Sequence, residues 1–189
     1  MKQRFLWLGL LVVLVLSSGA RSAHAQASDS TMSDAEIEKL RDAAYVASDR
    51  VAVFMKILDA RAKAIEDVLA KRHTPDTPGD LHDLIDQFGG ITDELNDNLD
   101  EYKPKHRDLR KVLPKLLLAT ERWSTTLRAP ADDPAYKIVR KIALDAVRDV
   151  HDAAAAMQPE QEAYFKAHPE AAKAEKDRES TDAVKGKDH

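Results

Sequence analysis

Residues 81–127 read LHDLIDQFGGITDELNDNLDEYKPKHRDLRKVLPKLLLATERWSTTL, and an apolar beat of seven runs through them without slipping. Leu81, Phe88, Leu95, Tyr102, Leu109, Leu116 and Trp123 fall seven apart, and Ile85, Thr92, Leu99, His106, Leu113, Thr120 and Leu127 follow each by four. This 4-3 alternation marks a helix packed lengthwise against other helices. It predicts an all-α fold, an elongated antiparallel bundle.

Pro104 and Pro114 complicate the stretch. The seam stays in phase through both, and a loop would be expected to reset it. The reading adopted is therefore one helix from Asp80 to Arg128, kinked at each proline where a hydrogen bond to the carbonyl four residues earlier is lost. Gly89-Gly90 is a further soft point. The alternative ends the helix at Lys103 and gives a four-helix up-down bundle.

Upstream, Ser33 and Glu36 have the spacing of a capping box. Behind them, Ile37, Ala44, Val51, Leu58 and Ile65 mark one face of a helix expected from Asp34 to about Arg72. His73 to Gly79 contains two prolines and ends it, with Thr77 before Pro78 as the next cap. Downstream, residues 129–134 form a turn in which Asp133 caps a third helix and Pro134 takes its first position. Ala135, Val139, Ile142, Ala146, Val150, Ala153 and Met157 carry that helix to Pro159, which kinks or interrupts it. Gln161 to Phe165 resume it, with Tyr164 and Phe165 as a docking pair. Three long helices result, the first as long as the second needs for cover.

The two ends read differently. Lys2 and Arg4, the apolar run Phe5–Leu16 and Ala23-His24-Ala25 are the three parts of an export signal, with cleavage after Ala25. The run is too short to span a bilayer, which takes roughly 20 residues. Residues 26–32 read as a flexible linker, 33–168 as the helical domain and 169–189 as a disordered charged tail. The predicted location is the bacterial periplasm or the extracellular space, as a soluble chain with no transmembrane segment.

Composition narrows the function classes. The 189 residues include no cysteine, which removes disulfides, thiolate metal sites and c-type haem attachment. A third of the residues are charged and six are glycine, a helix-rich composition. Without the leader, 26 basic residues face 33 acidic ones, which disfavours nucleic acid as a partner.

Charge is also the strongest functional pattern. Nine acidic residues, among them Asp93, Glu94 and Asp97, lie between Arg72 and Lys103 with no basic residue among them. From Lys103 to Arg128 the sign reverses, and eight basic residues, including Arg107, Arg110 and Lys111, oppose only Asp108 and Glu121. On a continuous helix this is a bipolar rod. It predicts a docking face for a protein, a charged envelope polymer or a second copy. The preferred reading of the charge pattern itself is nonetheless a solvated face whose charges pair with neighbouring helices, since most surface charge patterns carry little energy.

Metal and catalytic chemistry find little support. Inward-facing Glu-x-x-His pairs are absent, and 93–98 lacks the glycine and spacing of a calcium loop. No phosphate loop, nucleophile elbow or His-Glu-x-x-His motif occurs. No cofactor is expected. His106, on the seam beside Tyr102, reads first as a partly buried bundle residue bonded to Tyr102 or a freed carbonyl, with a pH-sensitive group as the alternative. His82, His151 and His168 read as solvated. Arg61, at a core position, is expected to snorkel or to meet an Asp of the second helix. Trp123 reads as a core anchor. The expected function is a non-enzymatic envelope protein acting by surface contact, as adaptor, chaperone-like binder or assembly element; the alternative is a metal- or ligand-binding bundle of cytochrome or ferritin type.

Overall fold

The computed structural model describes residues 31–71 and 73–185, without the side chains of 178, 179 and 182–185. The predicted leader, its cleavage point and residues 26–30 of the linker lie outside the described residues. Among the described residues the regular structure is entirely α-helical: α1 Asp34–Asp42, α2 Ala47–Ala70, α3 Thr77–Tyr102, α4 Leu113–Arg128, α5 Lys137–Ala167 and α6 Pro169–Lys185. None of these helices is long and apolar enough to cross a membrane.

Ser33 opens α1 with the predicted capping box: its hydroxyl accepts from Glu36 N, and Glu36 Oε2 accepts from Ser33 N at 2.8 Å. The first helix does not run on to Arg72. It breaks at 43–46, a stretch with neither glycine nor proline. Arg50 Nη1 donates to Leu40 O at 2.9 Å, satisfying a carbonyl freed at the end of α1. Arg61 makes the consequence visible. Its guanidinium meets Glu36 at 2.9 and 3.0 Å, so α1 folds back along α2. In one straight helix those two residues would stand about 37 Å apart. Arg61 thus neither snorkels nor meets an Asp of the second long helix. Met32, assigned to a flexible linker, is buried in the core.

The predicted single helix from Asp80 to Arg128 is two helices. Pro104 has no N–H to continue the ladder, and α3 closes in a left-handed turn at His106, φ 47°. His106 N donates to Lys103 O at 3.2 Å and Arg107 N to Tyr102 O at 3.3 Å. These are the two bonds of a Schellman closure, with histidine where glycine is usual. The His106 ring is exposed and stacks on Tyr164, centroids 3.8 Å apart and planes 6° from parallel. It is therefore not the partly buried seam member expected. Pro114 produces no kink, because it lies in the first turn of α4, where a missing N–H costs nothing.

Contacts give the directions. Asp59 and Glu66 of α2 meet Trp123 and Thr126 of α4, so these two helices run the same way. Thr120 meets His151 and Leu109 meets Gln161, so α4 and α5 run oppositely. On α3, Gly89 faces Ala143 and Lys103 pairs with Glu160, so α3 and α5 run together. Leu95 and Leu116 therefore sit in helices of opposite sense, and the bipolar rod does not exist. The seam residues are nevertheless buried from Leu81 to Leu127, His106 excepted. Trp123 is a core anchor, edge-on to Phe88 at 5.8 Å.

Two later expectations also change. The third helix starts at Lys137 rather than Pro134 and continues through Pro159 to Ala167. Pro169–Lys185, assigned to a disordered tail, forms α6. Its alanines and exposed charged positions are compatible with helix, and a docking partner supplies the rest (below).

The left-handed turn makes an opposite prediction to a helix interior, where glycine is about 1 kcal/mol worse than alanine. At position 106, His106→Gly is expected to be more stable than His106→Ala by about 1 kcal/mol in urea unfolding. The reverse order would place residue 106 in a helix.

Candidate functional site

Polar side chains gather where the helices break. The 103–112 connector between α3 and α4 is stitched to α5 by Gln161, which lies buried one half-turn past Pro159. Its Oε1 accepts from Leu109 N at 2.8 Å, and its Nε2 donates to Arg107 O at 2.8 Å. One side-chain amide thereby satisfies a donor and an acceptor that no helix can serve.

Arg107 ties the connector to the α1–α2 break and to α6. Its Nε donates to Glu175 of α6 in a short charged contact, and its Nη2 donates to Tyr45 O, in the α1–α2 break, at 3.0 Å. The same guanidinium lies 6.0 Å from the centroid of Tyr102. Burial pushes the Tyr102 phenol upward, and the nearby Arg50 and Arg107 cations only partly oppose this. Tyr102 Oη donates to Asn98 Oδ1 at 3.3 Å.

Next in the connector, Arg110 Nη2 donates to Asp108 Oδ2 at 2.6 Å and Nε to Oδ1 at 2.9 Å. This fork holds the Asp108 carboxyl below its ordinary range. The Arg110 guanidinium also covers Phe165 at 4.3 Å. The predicted docking pair is thus real: Phe165 packs under Arg110, and Tyr164 under His106. Beside them a cavity of about 350 Å³ is lined by Asp100, Lys103, His106, Met157 and Gln161.

The structure therefore brings Tyr102, His106, Arg107 and Arg110 to one end of the molecule. Lys111 lies near it, exposed, on a separate groove with Lys56 and Asp59. Asp93, Glu94 and Asp97 do not join them; they lie exposed along α3. Burial pushes the Asp93 carboxyl upward, and Asp97 and Asp149 add to it, so at this point neighbouring α5 brings another negative charge rather than a neutralising one. Among the described residues, no three His, Cys, Asp or Glu side chains converge as metal ligands would.

Sequence reasoning passed over Gln161 and Glu175. Gln161 was legible only as part of a resumed helix, and Glu175 sat in the presumed tail. His151, read as solvated, is also engaged. Thr120 Oγ1 donates to Leu117 O at 2.7 Å, so it accepts from His151 Nδ1 at 2.9 Å. In the neutral ring that fixes the Nδ1–H tautomer and leaves Nε2 as an acceptor. It borders a groove of about 500 Å³ that includes Ser124, Arg128 and Arg148.

No protein-family model matches this chain, and no curated protein or solved structure does so either. The fold and these contacts therefore carry the functional argument by themselves.

Two outcomes follow for the connector. Gln161→Leu strands the buried Leu109 N–H and the Arg107 carbonyl, and is expected to cost about 2–4 kcal/mol by urea titration; a loss under about 0.5 kcal/mol would mean the amide is not a tie. Asp108 has a lowered carboxyl, so its contribution is present above the ordinary carboxylate range and disappears as pH falls through the folded value. Asp108→Asn should lower the stability read by urea titration at pH 7, by about 1 kcal/mol or less given the exposure of Arg110, and the gap from wild type should close as the pH falls below the ordinary carboxylate range.

Proposed function

We propose that this chain is an exported, non-enzymatic helical protein that acts by surface contact with a protein partner, in the manner of an adaptor, chaperone-like binder or assembly element. The arrangement we favour is a bundle with α2, α3, α4 and α5 as its four rods, α2–α3 and α4–α5 being hairpins across short connections. The leader-like first 25 residues support export, and the lack of cysteine fits a chain stabilised by burial alone.

One observation carries the contact reading. Ile138 and Ile142, one turn apart on α5, are 73% and 53% exposed. Leu118 is as exposed but stands on another helix, whereas these two large β-branched side chains share one stripe of α5 and form an exposed apolar pair. They favour a protein over a charged polymer, which would have no use for them. The polar groups that might suggest chemistry are instead spent on holding helix to helix: Arg61 on Glu36, Trp123 on Asp59, Thr126 on Glu66.

The test uses the mature chain in its native envelope, with a photo-reactive residue at 142 and, as control, at the exposed position 63 of α2. Discrete adducts at 142 and none at 63 are expected. Ile138→Lys combined with Ile142→Lys should abolish binding of the adducted protein while changing stability by under about 1 kcal/mol, as surface changes do. Sedimentation of the purified chain identifies a second copy as partner if a dimer forms. Equal labelling at both positions, with a monomer in sedimentation, would sink the proposal.

A further inference from the structure

The Arg107 end of the molecule lies about 35 Å of helix away from Ile142, and what covers it is unusual. Helix α6 leaves α5 at His168, whose backbone (φ −128°, ψ 69°) is non-helical and is followed by Pro169. Among α6 residues with described side chains, the one fully buried is not apolar but Glu175, 4% exposed. Lys173, Ala174, Lys176 and Asp177 around it are exposed, and Ala171 and Ala172 are half-buried. Over its described side chains α6 buries a carboxylate and little hydrocarbon, and that part gains little from the hydrophobic effect. Nor does a polar helix of this length hold together well alone.

What it does have is a prepared receptor. With α6 in place the Arg107 side chain is 15% exposed. Tyr45 O and the Tyr102 ring, neither of them in α6, hold its guanidinium from the side of the other helices, so it is oriented before a carboxylate arrives. Pre-orientation removes much of the ordering cost of binding. A guanidinium held in this way favours a carboxylate through a charge-assisted hydrogen bond, and nothing in that chemistry requires the carboxylate to come from α6.

We propose that α6 is a displaceable cover over a carboxylate-binding site centred on Arg107, and that an acidic helical segment of a partner protein takes this site when α6 lifts. The chemistry of the partner is set by that of the cover: a helix presenting one Glu or Asp amid small residues, with charged flanks. The site is independent of the Ile138–Ile142 patch, so its loss leaves the proposed surface-contact function standing. Because the cover is tethered, it competes at high effective concentration, and the apparent affinity for an outside helix falls by the fraction of time the site is open.

The probe is a labelled peptide of residues 169–185, titrated against the full mature chain by fluorescence anisotropy. Glu175→Gln in the chain weakens the cover, so this variant is expected to bind the peptide at least tenfold more tightly than the wild type. A peptide with Gln in place of Glu175 should bind neither chain, and adding Arg107→Met to the Glu175→Gln chain should abolish binding. Helical circular dichroism checks that each variant folds. Amide exchange on the wild-type chain gives a reading that needs no variant: residues 169–185 should exchange through an opening not shared by 137–167. Protection of α6 equal to that of α5, failure of the Glu175→Gln chain to bind the peptide, or equal binding of both peptides would each overturn the proposal.

Discussion

The left-handed turn at His106 is the constraint on which the rest of the architecture depends. Had residue 106 stayed helical, α3 would have projected past the end of α2, and α4 would never have returned alongside it. The turn has two causes of different kinds. Pro104 removes the donor that would continue the ladder, and Tyr164, waiting on α5, offers a flat surface for the His106 ring at 3.8 Å. The strain of a non-glycine residue at φ 47°, roughly 1–2 kcal/mol, is offset by that stacking and by the two closing hydrogen bonds.

Once the chain has turned, the connector must bury Leu109 without a helix to satisfy its backbone. The Gln161 amide does this from the side, and that is possible because α5 continues through Pro159 rather than stopping there. The freed carbonyls at the other break are treated alike, with Arg50 on Leu40 O and Arg107 on Tyr45 O. Long polar side chains therefore act at these two breaks as the glycines and short caps of simpler bundles do.

This explains which parts of the structure were legible in the sequence. The seam from Leu81 to Leu127 named the buried residues because burial has a period, and the period survives whichever way the chain runs. It did not name the connectivity, since Tyr102 and Leu109 are both buried with or without the turn between them. Phase continuity predicts a continuous helix, but the common core enforces the same phase on two separate ones. The break at 43–46 was illegible for another reason: its residues carry no local signal, and the arginines that stabilise it lie 10 and 62 residues from the carbonyls they satisfy. Position 106 was masked by chemistry, because histidine stands where glycine would have announced a helix end.

The candidate site shows the same division between composition and placement. Charge segregation drew attention to Asp93, Glu94 and Asp97 and to Arg107, Arg110 and Lys111 as two halves of one rod. In the fold they are not partners. The acidic group lies along α3, where Asp149 adds to the crowding at Asp93, while Arg107 and Arg110 are committed to Glu175 and Asp108. Charge alone could not separate these fates, because what distinguishes them is desolvation. The carboxylates on the α3 face stay largely open to water, with only Asp93 raised by partial burial, whereas a guanidinium closed in by Tyr102, Tyr45 and α6 must keep an anion. The demand for an occupant thus arises at the connector and not along the acidic face, and it arises because the chain turns there.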